Sequence, residues 1–284
     1  MNAFRVLAAW AVREAVRRRV FLVVGVLTVG YLALYTLGTR IAFRNIARNE
    51  GGNRLVDEHG LAGSTLTGLA MFAVLFLGSV LAVFLAVATF RGDAEAGLLQ
   101  PIVTRPLGRG VVVLARAAAA AAVSGAYTAV VLALSMLIVR INGSWSPESP
   151  WQPGLRLVAA VMVLAALCVL GSTVLTTVAN GIATFMLFGA GLFAGLMGQV
   201  GRGIGSQTLV HVATTVSWAL PFEALYQDGL AKLGEHQNGF TRTVVQLGPF
   251  GGGDPATVWL WVYVLGYLAL VLTAAVRIAR RRDL

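Results

Sequence analysis

Over residues 154–200 the chain is apolar for more than forty residues, about twice what one helix needs to cross roughly 30 Å of hydrocarbon. In lipid the backbone amides of such a run must be satisfied within helices. It therefore folds as a hairpin of two spans, and Thr176-Thr177-Val178-Ala179-Asn180-Gly181 is the turn on offer. Four further stretches share its character, so the predicted spans are about 20–38, 61–90, 111–139, 154–178, 181–200 and 256–276. At about 1.5 Å per residue the second is longer than the hydrocarbon requires and is expected to tilt or project. Charged residues are 12% and hydrophobic residues 57% of the 284, whereas a soluble domain is about one-quarter charged. The predicted fold class is an all-α polytopic membrane protein, a single transmembrane domain over 1–284 with six transmembrane helices and no room for a large soluble domain.

The net charge of +10 sits at the ends of the apolar stretches, where lipid headgroups meet it, so membrane lipid rather than nucleic acid is the expected partner. Six spans place both termini on one side. That side, with residues 91–109, holds thirteen basic and four acidic residues, against nine and eight on the other. The positive-inside rule then puts both termini in the cytoplasm. Residues 1–19 set Phe4, Leu7, Ala8, Ala11 and Ala15 on one helical side with Arg5, Arg13 and Arg17 largely off it, the pattern of an interfacial helix. Arg17-Arg18-Arg19 ahead of the first apolar stretch mimics a signal peptide. The stretch runs on to Gly38 without a small-x-small cleavage site and reads as a retained anchor.

Chemistry is sparse. The acids fall in loops or at span ends, and His59, His211 and His236 lie outside the predicted spans, which argues against proton relays and intramembrane haem ligation. Lys232, the only lysine, is followed by Leu233, so no phosphate-cradling lysine loop exists. No zinc-protease or nucleophile-elbow motif occurs, and Cys168, the single cysteine, reads as a packing residue. A Ser–Lys or Ser–His pair drawn from Ser206, Ser217, His211 and Lys232 competes with the plainer reading of interfacial polar residues. No catalytic, metal or cofactor-binding residue is assigned, and the chain is not expected to be an enzyme.

Between the second and third spans lies one hydrophilic island, residues 91–109. Gly92-Asp93 starts a helix, and Glu95 sits in its first turn where the helix dipole favours a negative charge. Pro101 limits its length, and Arg105-Pro106 with Gly108 turns the chain back toward the membrane. On composition alone, a short amphipathic helix and a solvated loop fit equally.

The pattern Glu95, Gly97, Leu99, Pro101, Thr104, Arg105, Pro106 and Arg109 resembles the segment after the second span in ABC-2-type permease subunits of ATP-binding cassette (ABC) transporters, including the NosY-like group. The chain departs from that pattern mildly, with Asp93 in the first acidic place, Leu98 for Thr, and Arg116 where Lys is common. Ser217-Trp218-Ala219-Leu220-Pro221-Phe222-Glu223-Ala224-Leu225 is similar to the family's outer re-entrant segment, where Pro221 and Glu223 would help a broken helix turn. An amphipathic helix over 208–220, resting on the outer surface, satisfies the same residues.

The resemblance implies an exporter-type permease in the plasma (inner) membrane of a prokaryote, with the island a cytoplasmic coupling helix docked on a separate ATPase subunit. Two permeases, identical or homologous, would work with two ATPases that carry ATP and Mg. Asp93, Glu95, Arg105 and Arg109 would contact the ATPase, Leu98 and Leu99 would pack into its groove, and Gly97 and Pro106 belong to the same motif. The N-terminal helix would bring Arg13 and Arg17 near that partner. Gly191-x-x-x-Gly195 suits either a permease–permease interface or internal packing. Ser79, Thr128, Ser135, Thr173, Thr176 and Gln199 are the candidate polar lining of a pathway, and none identifies a substrate. An ATP-independent scaffold that recruits another cytoplasmic protein is the alternative.

Overall fold

The computed structural model describes residues 19–48, 58–87, 109–234 and 258–281. Among them are eight helices: α1 (Arg19–Arg48), α2 (Glu58–Ala86), α3 (Arg109–Gly143), α4 (Trp151–Ser172), α5 (Thr177–Gly203), α6 (Gln207–Ala219), α7 (Pro221–Gly234) and α8 (Trp259–Arg281). Six of these, α1 to α5 and α8, are long and apolar enough to cross a membrane. Leu22, Val26 and Leu34 on α1, Val178, Ile182 and Met186 on α5, and Leu265 and Leu270 on α8 all stand exposed. Water would not tolerate so continuous an apolar coat, and lipid does. The protein is a multi-pass, all-helical membrane protein.

α4 is the hub, packed against α2, α3, α5, α7 and α8. Its Leu157, Ala160, Val161 and Leu164 meet Met71, Val74 and Leu75 of α2, Leu132 of α3, Phe222, Leu225 and Leu230 of α7, and Val264 of α8 in one core. α2 is apolar around its whole circumference, as a helix enclosed by others can be. Its hydroxyls, and those of α3, turn back on their own helices: Ser64 donates to the Gly60 carbonyl (2.8 Å), Thr67 to Gly63 (2.7 Å), and Ser124 to Ala120 (2.8 Å). Such bonds let polar residues sit in an apolar bundle without outside partners. α1 covers the bundle on one side and is tied to it by polar contacts. Tyr35 donates to the Leu66 carbonyl (2.9 Å), Tyr31 meets Ser135 (3.1 Å), and Asn142 donates to Thr39 (3.1 Å).

Successive spans alternate in direction, so the start of α3 and the end of α8 share a face. A side chain at Gly110 would meet Val276 Cγ1 at 2.8 Å and Arg280 Nε at 3.3 Å. The start of α3 therefore lies beside the arginine-rich end of α8.

Two boundaries differ most from the sequence expectation, for physical reasons. α1 continues past Gly38 to Arg48 because nothing in that stretch breaks a helix, and Phe43 holds the extension by covering Gly143 and stacking on His59 with ring centroids 5.8 Å apart. The hairpin turn lies at 173–176 rather than at 176–181, since α4 already ends at Ser172. There Ser172 donates to Val169 and Thr173 to Leu170, both at 2.7 Å, and Thr176 is extended. Asn180, expected in the turn, sits in the first turns of α5 with its side chain directed back over Gly171. It donates to the Cys168 carbonyl at 2.9 Å. Asn180→Ala removes this strap and is expected to cost about 1 kcal/mol, read as a lower unfolding midpoint of the purified protein in detergent micelles.

Candidate functional site

The chain reverses sharply after α5. Gly205 takes φ +70°, a conformation open mainly to glycine, and lets Ser206 donate to the Gly201 carbonyl (2.8 Å) and Gly205 to Arg202 (3.4 Å). This paired closure of a helix end folds α6 back along α5. The contact runs on a row of glycines. A side chain at Gly201 would meet Leu209 Cβ at 2.7 Å and one at Gly198 would meet Ala213 Cβ at 2.8 Å, while Glu223 and Gln227 crowd Gly195 and the Phe222 ring covers Gly191. In this chain the Gly191–Gly195 face is thus occupied internally.

At Leu220 the helix breaks (φ −124°, ψ 76°) and Pro221 opens α7, a position where its missing N–H costs nothing. The carbonyls left bare at the end of α6 accept from α8: the Tyr263 hydroxyl donates to Trp218, and Tyr267 donates to Ala219 at 3.1 Å. α7 then enters the bundle against α4, with Phe222, Leu225, Tyr226 and Leu230 in the core. The helix expected over 208–220 is thus present as α6, with Ala213 its one buried residue, whereas Pro221 and Glu223 stand past the break, at the start of α7 inside the bundle.

α7 carries its acids inward. Asp228 is 2% exposed and forms an ion pair with Arg156 Nε near the start of α4; Arg156 also donates to the Gln152 carbonyl at 3.1 Å. Glu223 is 1% exposed. Its Oε2 accepts from Ser217 Oγ at 2.8 Å and its Oε1 from Gln227 Nε2 at 2.7 Å, while Gln227 Oε1 accepts from Gln199 Nε2 at 3.3 Å. Both acids, placed by sequence in an outer segment, lie among the spanning helices.

Beside Glu223 is a cavity of about 370 Å³ between α5, α6, α7 and α8. Glu223, Gln227 and Ser217 line it together with Trp218, Trp259, Tyr263 and Arg202. The Trp218 and Tyr263 rings meet edge to face, with centroids 4.9 Å apart. Among the described residues the cavity thus offers one carboxylate, one guanidinium and an aromatic wall.

The other sequence-predicted residues distribute unevenly. Asp93, Glu95, Gly97, Leu98, Leu99, Arg105 and Pro106 lie outside the described residues, as do Arg13 and Arg17, and Arg109 is the first residue of α3. Ser79, Thr128 and Ser135 are buried inside the bundle, bonded to carbonyls of their own helices, and do not line this cavity. Among the described residues no group of three or more metal-ligating side chains occurs. No protein-family model matches the chain, and no curated protein matches it.

The Arg156–Asp228 pair and the aromatic cavity escaped sequence reasoning. Arg156 was the available signal, since a charge within an apolar run needs a partner. The partner lies 72 residues away, and no local pattern points to it.

Arg156→Met leaves Asp228 buried without its cation and is expected to destabilise by about 3–5 kcal/mol, while adding Asp228→Leu recovers most of the loss. Chemical unfolding in micelles measures both. The Tyr226 hydroxyl, buried with no hydrogen-bond partner among the described residues, contrasts with that pair. Tyr226→Phe should be neutral or stabilising by up to about 1 kcal/mol in the same measurement.

Proposed function

We propose that this chain is the membrane-spanning permease subunit of an ABC transporter of exporter type, powered by a separate ATPase docked on residues 91–109. The carrying observation is the broken helix α6–α7, packed into the bundle between the fifth and sixth spans. It occupies the chain position of the re-entrant segment in the ABC-2-type permeases that the island motif also resembles. The excess of arginine on the island side supports a prokaryotic plasma membrane with both termini in the cytoplasm.

A push delivered to the island has a short route into the bundle. Arg109 opens α3, whose first turn abuts Val276 and Arg280 of α8, and both helices pack on α4. Displacement of the coupling segment is thereby shared by two spanning helices and the hub. Work follows if the ATP-closed and open ATPase dimers hold the two coupling segments of a permease pair at different separations, because only such differential binding shifts the equilibrium. ATP and Mg reside on the ATPase, and the second permease is a copy or a homologue.

Tagged protein purified from its native membranes is expected to carry an ATPase in near-equal amount. Glu95→Arg with Arg105→Glu should weaken that association by about tenfold or more, as losing one or two charge-assisted contacts implies. Undiminished ATPase recovery with the double variant would reject the docking assignment. Unaltered chain that recovers no ATPase, but another cytoplasmic protein, would support the scaffold alternative.

A further inference from the structure

We propose that the cavity between α5, α6, α7 and α8 binds the ammonium–phosphate zwitterion of a phospholipid headgroup, with the ammonium at Glu223 and the aromatic wall and the phosphate at Arg202. The volume of about 370 Å³ falls within the range of small-ligand sites, and its mostly apolar lining with a few convergent polar groups has their character. The inference goes beyond the transport reading and does not depend on it, because the binding is a property of this chain alone.

The charges select the ligand. Among the described residues, Glu223 and Arg202 are the acid and the base that line the cavity. A simple cation would be attracted by the carboxylate and repelled by the guanidinium, and a simple anion would meet the reverse. A ligand that carries both charges satisfies both. Gln227 turns its amide nitrogen to Glu223 and its oxygen to Gln199, and Ser217 donates to the other carboxylate oxygen, so two side-chain donors converge on Glu223. Trp218, Trp259 and Tyr263 add π faces and edges of the kind that surround ammonium groups in proteins.

Position selects the source. Arg202 is in the last turn of α5 and Trp259 is the first residue of α8, so the cavity lies where spanning helices leave the hydrocarbon. Tryptophan and tyrosine concentrate at that depth, and phospholipid headgroups occupy it. A phosphoethanolamine or phosphocholine group can thus reach the cavity while its acyl chains remain along the exposed apolar faces of α5 and α8.

The test uses the purified, delipidated full chain in maltoside detergent, titrated with phosphatidylethanolamine, phosphatidylcholine or phosphatidylglycerol and read by native mass spectrometry and tryptophan fluorescence. The zwitterionic lipids should bind at least about tenfold tighter than the anionic one, and Glu223→Gln should erase that preference. Trp259→Ala alters an exposed rim residue that the fold does not need, and it should weaken zwitterion binding several-fold even if Glu223→Gln proves unstable. Competition by soluble phosphocholine or phosphoethanolamine would show that the free headgroup suffices, whereas lipid binding without such competition would assign the site to the bilayer. Equal binding of phosphatidylglycerol, or unchanged binding in Trp259→Ala, would overturn the proposal. Failure of the ATPase to co-purify would leave this titration unaffected, so the two readings fail separately.

Discussion

Two helices can approach closely only where little more than hydrogen atoms stands between them, and α5 meets that condition at Gly191, Gly195, Gly198 and Gly201 in turn. The rest of the candidate site follows from this face. It admits Leu209 and Ala213 of α6, then Phe222 and Glu223 of α7, and so draws a broken helix into a bundle of spanning ones. Within lipid there is little hydrophobic gain in moving an apolar face from hydrocarbon to protein, so close van der Waals contact and shared polar bonds hold such an element. Gly205 makes the approach continuous by reversing the chain within three residues of α5.

The polar groups drawn in with α7 are stabilised in two ways. Asp228 is neutralised by Arg156 of the hub helix, which converts two costly buried charges into a cross-link between α4 and α7. Glu223 instead gathers donors, from Ser217 across the break and from Gln227 one turn along, with Gln199 of α5 behind them. Glu223 lines the cavity and Asp228 does not, and this difference separates a structural acid from a candidate binding residue. The tyrosines of α8 complete the element by donating to the bare C-terminal carbonyls of α6.

Much of the fold was legible because apolar length is a direct readout of bilayer thickness. The six spans, the hairpin between the fourth and fifth, and the glycine-rich character of α5 all follow from the order of residues. The hairpin turn was misplaced toward Asn180 because asparagine followed by glycine ordinarily marks a turn. Here Asn180 finds a better use in the Cys168 carbonyl across the hairpin, and the threonine-rich 173–176 turns instead. The extension of α1 to Arg48 was missed for a related reason. Charged residues end a span but need not end a helix, and Phe43 has a surface to hold it there.

By itself the sequence determined that this chain threads a membrane six times as helices, since no other backbone arrangement satisfies its amides over such apolar lengths. It also determined where arginine accumulates and which short hydrophilic segment, residues 91–109, interrupts the apolar pattern. Only the tertiary structure decided that the glycines of α5 receive α6 and α7, that Arg156 finds Asp228, and that Glu223, Arg202 and three aromatic rings share one cavity. The cavity residues come from four helices spread over about sixty positions, and their proximity depends on how the helices cross, which local periodicity does not encode.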